Sequence, residues 1–536
     1  HLTQPGYAGF FTTYYGRDRV VYAGANDGLL HAFAAGSHAF GDDVDTPELE
    51  LEYYSAGNGA ELFGYVPGVQ LNRMQLLPRN SPRTAFFVDG PIAVADAWLS
   101  DGTGTDTTKT TDEWATVLIT GMREGGTGYL ALDITDPGAT VGDDHYPYPG
   151  LLWEFTDADL GESWSEPVVT RVKVAGASGS GDHCGPSDFD GDCREQWVAI
   201  FAGGYEADGD PNRAGAYVAD PADAAWRDKS KAIFVVALDS GAVLAKVKYG
   251  ASTYPDMKFS IPSSPAVIDV NFDGFADVVY VGDLGGQMWK WDIKAVGQDA
   301  TVPADGTVDN WPAGVFFRTA PVTVGSVDHY RSFFFPPVAS FVNGTLTLAF
   351  GSGERHDLGY EGSGSAADEN RFYVAKDHEP TGSDAFDVIY DDDDLTDVTA
   401  IDTDNVPGDA GYRFTLAESE KFVTEITVFA GYVIVGSYTP DSSADLCATS
   451  GGQSFLHVFN LATAQGFFPD PVDPPSEDRR TYIGGGFPTS PEVTVATDPD
   501  DDVIIVKTSE GPKLITIDAP PRTEQKGQII YWKQQL

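Results

Sequence analysis

Basic residues are scarce in this chain: 33 lysines and arginines stand against 81 aspartates and glutamates, a formal charge of −48. A surface of that sign repels phosphate backbones and anionic lipid, which argues against nucleic acid and an acidic membrane face as partners. It suits a strongly hydrated, salt-screened surface, and it supplies carboxylates for divalent cations. Cysteine is nearly absent, with Cys184, Cys193 and Cys447 alone. The nine histidines are scattered without a CxxC or HxxxH grouping, so zinc is not expected. No apolar run approaches the ~20 residues that span a bilayer. His1 opens no signal peptide, so any targeting segment is expected outside this sequence. There is no HExxH and no Walker loop, and among 81 carboxylates acid pairs arise by chance. With no catalytic grouping in view, the chain reads as one that binds rather than catalyses.

Glycine (60) and proline (34) are abundant across the 536 residues, and aromatics make up 12%. Such a length exceeds the roughly 250–300 residues at which one compact core stops growing, so the chain is multidomain or built from repeats. A repeat is present. VVYAGANDGLLHAF (20–33) aligns without a gap to VVYVGDLGGQMWKW (278–291), each a strand, a glycine-rich turn and a second strand. Weaker copies lie at 116–134, 197–209, 232–247, 346–355, 431–441, 454–466 and 503–518. Short apolar strands in repeated hairpins predict an all-β fold, a modified β-propeller of about seven or eight four-stranded blades at ~40–50 residues per blade. Polar, Gly/Asp/Ser-rich stretches at 36–59, 101–112, 175–193, 292–309 and 381–411 read as long loop insertions. No shift in composition divides the chain, so residues 1–536 read as one domain.

One motif carries specific chemistry. Residues 269–277 read D-x-N-x-D-G-x-x-D. Calcium takes six to eight oxygens, and side chains at positions one, three and five of a tight loop can converge on it. Asp269, Asn271 and Asp273 hold those positions, Phe275 offers its backbone carbonyl, and Gly274 permits the sharp bend. Position twelve is Tyr280 rather than the glutamate of an EF-hand, and Asp277 supplies the closing carboxylate. The competing reading is an acidic turn whose side chains cap backbone N–H groups. A degenerate second copy runs through Asp188, Asp190, Asp192 and Glu195, with Cys193 in the glycine position. There a Cys184–Cys193 disulfide is the favoured device for fixing the loop, with calcium second. The runs 391–394 and 500–502 lack alternation and read as solvated loops.

The segments GANDGLLHAF (24–33), FFVDGP (86–91), GTGYLALDITDP (126–137), WVAIFAGGY (197–205) and DVNFDGFADVVYVGDLGGQMWKWD (269–292) resemble, in order and spacing, the C-terminal domain of PilY-type type IV pilus biogenesis proteins. CATSGGQSFLHVF (447–459) and the terminal IIYWKQQL resemble later segments of that family, so the resemblance runs over essentially the whole chain. It implies a propeller at the pilus tip or outer cell surface, reached through the periplasm. Such a protein supports pilus assembly, opposes retraction and contributes to adhesion and twitching motility. The implied partners are pilins or minor pilins at the filament tip and a host or abiotic surface. The family's calcium loop falls on Asp269, Asn271, Asp273, Phe275 and Asp277, with Asn271 in place of an aspartate. The family's divergent N-terminal region is absent, so His1 is expected to begin a fragment or processed product. Two alternatives stay open: a quinoprotein-like dehydrogenase propeller, and a calcium-stabilised adhesin unconnected with pili. The receptor, the calcium affinity and the partner of Cys447 are not legible.

Overall fold

A computed structural model describes residues 4–42, 51–77, 86–99, 109–175, 184–185, 188–189, 193–213, 215–297, 310–324, 326–354, 369–400, 407–440, 451–469, 477–494 and 502–516. The chain is all-β, with seven sheets arranged as the blades of a propeller. Among the described residues the single α-helix is Tyr7–Tyr14, and no helix is long and apolar enough to cross a membrane.

Blade 1 has the strands Arg19–Gly24, Leu30–Gly36 and Glu61–Tyr65. Blade 2 has Ile92–Trp98, Trp114–Gly121, Tyr129–Asp133 and Gly150–Phe155. Blade 3 is Val168–Ala175, Cys193–Ala202, Ala232–Ala237 and Val243–Lys248. Blade 4 is Ala266–Ile268, Val278–Gly282, Gln287–Asp292 and Ala313–Arg318. Blade 5 opens on Val338–Val342 and Thr345–Gly351, followed by Arg371–Asp377 and Gly411–Thr415, with Thr396–Asp397 parallel at its edge. Blade 6 is built on Tyr432–Thr439, Gln453–Asn460 and Arg480–Gly485, with Lys421–Phe422 and Thr427–Phe429 sharing one edge. Blade 7 has Glu492–Thr494, Val503–Thr508 and Gly511–Thr516. The count is seven. The two aligned hairpins hold different places: 278–291 gives the second and third strands of blade 4, whereas 20–33 opens blade 1. Among the described residues, blade 1 has no counterpart of Ala266–Ile268.

The strands read as nearly unbroken apolar runs because both faces of a blade are covered. Along Cys193–Ala202 successive side chains point to opposite sides. Ala199 and Phe201 pack toward blade 2 with Trp114 and Tyr129, while Val198 and Ile200 pack toward blade 4 with Trp289 and Trp291. Each seam between successive blades holds a cluster of this kind. Tyr280, Phe317 and Phe350 join blades 4 and 5, and Phe372, Phe414 and Phe459 join blades 5 and 6. Burying one such large side chain is worth about 1.5–3 kcal/mol, so the seams rather than the turns hold the ring together.

A recurring proline is the period that hairpin reading overlooks. Pro91, Pro167, Pro265, Pro337 and Pro491 each stand immediately before the first strand of a blade, with Ile426 in the equivalent place in blade 6. Successive copies lie 65 to 98 residues apart, wider than the usual propeller period. Proline has no N–H to give a ladder and holds the preceding residue extended, which suits a connector entering its first strand. Connectors between five successive pairs of blades line one cavity of about 310 Å³, whose walls include Trp164, Pro262, Phe334, Phe335, Val423 and Phe487.

Candidate metal centre

The bend 269–277 joins the first two strands of blade 4. Asp277 N–H donates to the Ile268 carbonyl (2.8 Å), closing the neck, and Ile268 pairs with Val278 just beyond it. Inside the bend, backbone N–H groups gather on the side chains. Gly274 N–H donates to Asp269 Oδ2 (2.6 Å), Asp273 N–H to Asn271 Oδ1 (2.9 Å), and Phe275 N–H to Asp273 Oδ1 (2.9 Å). Asp277 Oδ2 accepts from Val270 (2.8 Å) and Asn271 (3.1 Å). Gly274 sits at φ 86° and Phe272 at φ 61°. The positive φ at Gly274 is what calls for glycine; a Cβ there would lie 2.2 Å from an Arg171 guanidinium nitrogen and would displace the end of that side chain.

Burial leads the electrostatics. Asp277 is almost fully enclosed, and desolvation pushes its carboxyl up to about 6 despite its two backbone donors. At Asp273 burial pulls the same way, but the Lys173 ammonium and the Phe275 N–H outweigh it and hold the group below the usual aspartate range. Lys173 Nζ stands 2.5 Å from Asp273 Oδ2, and Arg171 Nε–H donates to the Gly274 carbonyl (2.5 Å). Both cations come from Val168–Ala175 of blade 3, two residues apart and therefore on one face. They lie over the buried Phe275 ring at 4.3 Å and 4.9 Å from its centre. The bend thus sits on the seam between blades 3 and 4.

The donor chemistry suits a hard cation: three carboxylates, an amide oxygen, and a Phe275 carbonyl that accepts no hydrogen bond from the described residues. Among the described residues no three His, Cys, Asp or Glu side chains are grouped as a metal cluster, and these carboxylates spread onto backbone donors. A cation here would therefore draw on Asn271 and the Phe275 carbonyl, and would draw Asp273 away from Lys173. With that adjustment the residues fit calcium.

The second acidic copy is placed only in part. Asp190 and Asp192 lie outside the described residues, as does Cys447. Cys184 and Asp188 are described in backbone alone, in the pairs Cys184↔Phe189 and Gly185↔Asp188, and Cys193 likewise begins a strand. The proposed Cys184–Cys193 bond accordingly falls outside what is described. Glu195 is well placed, but its surroundings differ from those of a metal ligand: it accepts from Lys109 (2.7 Å), Arg171 (3.1 Å) and the Trp197 indole (2.7 Å), with its side chain fully enclosed. Sequence reading passed over Arg171 and Lys173, although their alternation in a strand of a cation-poor chain was a usable signal.

The family description "PilY1 beta-propeller domain" matches residues 3–337, more than half of the sequence. The chain belongs to the PilY1 β-propeller family. Its relatives include the type IV pilus biogenesis factor PilY1 of Pseudomonas aeruginosa strain PAO1, 29% identical over 290 residues. That alignment covers 52% of this chain and 18% of the relative, so the chain spans under a fifth of the curated protein it matches. A PilY1 homologue of Xylella fastidiosa is 30% identical over 169 residues, covering 31% of this chain and 11% of the relative. The crystal structure of the P. aeruginosa PilY1 C-terminal domain superposes with a TM-score of 0.59 at 18% identity, covering 96% of each chain. The match to the family description takes in blades 1–4 and the bend 269–277 and ends at Pro337, while the structural match covers 96% of the chain. Across blades 5–7 the likeness is one of fold. The terminal IIYWKQQL lies outside the described residues.

Proposed function

We propose that this chain is a calcium-binding propeller that serves type IV pilus biogenesis by binding rather than by catalysis. Membership of the PilY1 family supports the pilus role, and pilins or minor pilins are the proposed partners. The proposed location is the outer cell surface or pilus tip, where the protein opposes retraction and contributes to surface adhesion and twitching. One observation carries the calcium part: the D-x-N-x-D-G-x-x-D bend lies on the seam between blades 3 and 4, clasped by Arg171. A cation there stiffens a junction rather than a free loop. Because a ligand stabilises the state it binds, calcium at a hundred times its dissociation constant adds about 2.7 kcal/mol.

The test is thermal. Calcium is expected to raise the melting temperature of the wild-type chain, and a chelator to reverse it. Asp273→Ala is expected to abolish the rise. A wild-type melting curve indifferent to both millimolar calcium and chelator would overturn the calcium reading.

A further inference from the structure

We infer that Lys173 is a tethered cation that competes with calcium for this bend, an inference resting on the calcium reading above. Its ammonium holds Asp273 Oδ2, an oxygen that the metal would need. Two nitrogen donors converge on that atom: Lys173 Nζ at 2.5 Å and Asn271 Nδ2 at 3.2 Å. The lysine is not a loose surface chain. Lys173 lies in a paired strand opposite Glu195, its side chain is mostly buried, and its ammonium rests over the enclosed Phe275 ring.

Charge explains the arrangement. Asp269, Asp273 and Asp277 bring three carboxylates into nine residues. Arg171 cannot neutralise them alone, because its guanidinium is shared with Glu195. Lys173 supplies a positive charge on a four-carbon stem that can withdraw, so it props the bend in the metal-free state and yields when a dication arrives. Metal-free folding and calcium binding then oppose one another through a single side chain. Asn271 works in the same direction, giving Asp273 an amide N–H where an aspartate would add a further carboxylate.

The inference is tested by calorimetric titration of calcium chloride into the whole 536-residue chain and into Lys173→Met and Lys173→Arg. An ammonium about 6 Å from a dication, even with water-like screening, weakens binding about tenfold. Lys173→Met is therefore expected to bind calcium about tenfold more tightly, to melt below wild type without calcium, and to recover when calcium is added. Lys173→Arg, which keeps the charge, is expected to stay near wild-type affinity. Equal or weaker binding by Lys173→Met overturns the inference while leaving the calcium reading intact. Absence of binding in both proteins overturns the two together. Should Lys173→Met fail to fold, Lys173→Gln is titrated in its place, with the same tightening expected and the same result decisive against it.

Discussion

Glu195→Ala is expected to cost about 3–5 kcal/mol in chemical denaturation, more than any surface substitution in the chain. The carboxylate has no access to water, and it is the shared anion of two enclosed cations, Lys109 and Arg171. Removing it takes this counter-charge from both. Burial already pulls the Lys109 amine below its ordinary value, and Glu195 is the chief force opposing that fall. The other contacts of Lys109 include the Gln4 side-chain oxygen at 2.6 Å and the Trp98 and Trp114 rings, none of which carries a charge. Glu195→Gln keeps the shape but not the charge, so it is expected to lose most of the same stability. Combining it with Lys109→Met recovers part of the loss, because one fewer buried cation is left without the Glu195 charge. A cost below about 1 kcal/mol for Glu195→Ala would show that water reaches these cations.

Glu420→Gln is expected to cost about 3 kcal/mol at neutral pH and much less near pH 2. This carboxylate ties blade 6 together across its strands. Ser437 and His457 meet one oxygen, His457 Nε2 at 2.9 Å, and Arg480 meets the other at 2.5 Å. Burial alone would raise its pKa; the hydrogen bond and charge of His457, with Ser437 and Arg480, reverse that and hold it at about 2 against an ordinary 4.5. The folded form therefore binds a proton less readily than the unfolded one. Its stabilisation is complete above the ordinary value and disappears as pH falls from 4.5 toward 2. Urea unfolding across that interval is expected to show wild type losing stability toward the level of Glu420→Gln. Parallel pH curves for the two proteins would refute the ion-pair account.

What could be read from residues alone was local. The hairpins at 20–33 and 278–291 show themselves because their strands and glycine turns are contiguous, and the bend 269–277 because its ligand-type residues fall within nine positions. The sequence leaves the number of blades between seven and eight, since insertions of unequal length stretch the period; the prolines that precede five of the blades give the better rule. The surroundings of the bend were out of reach for a different reason. Arg171 and Lys173 stand about a hundred positions upstream and meet it only because blade 3 lies against blade 4. Glu195 looked like a ligand because its neighbours are acidic in sequence, whereas in space it faces Trp197 and two cations. Linear order reports which groups are available, and packing decides what they touch.

Each sheet lends one face to the sheet before it and the other to the sheet after, which has a consequence for dissection. The match to the family description ends at Pro337, at the threshold of Val338–Val342. A cut at that point would leave Tyr280, Phe316, Phe317 and Phe333 without Leu348, Phe350 and Tyr373 against them. The resulting fragment would carry a raw aromatic wall, prone to stick to its own copies. The part of this molecule that the family description covers is therefore not a part that water would tolerate by itself.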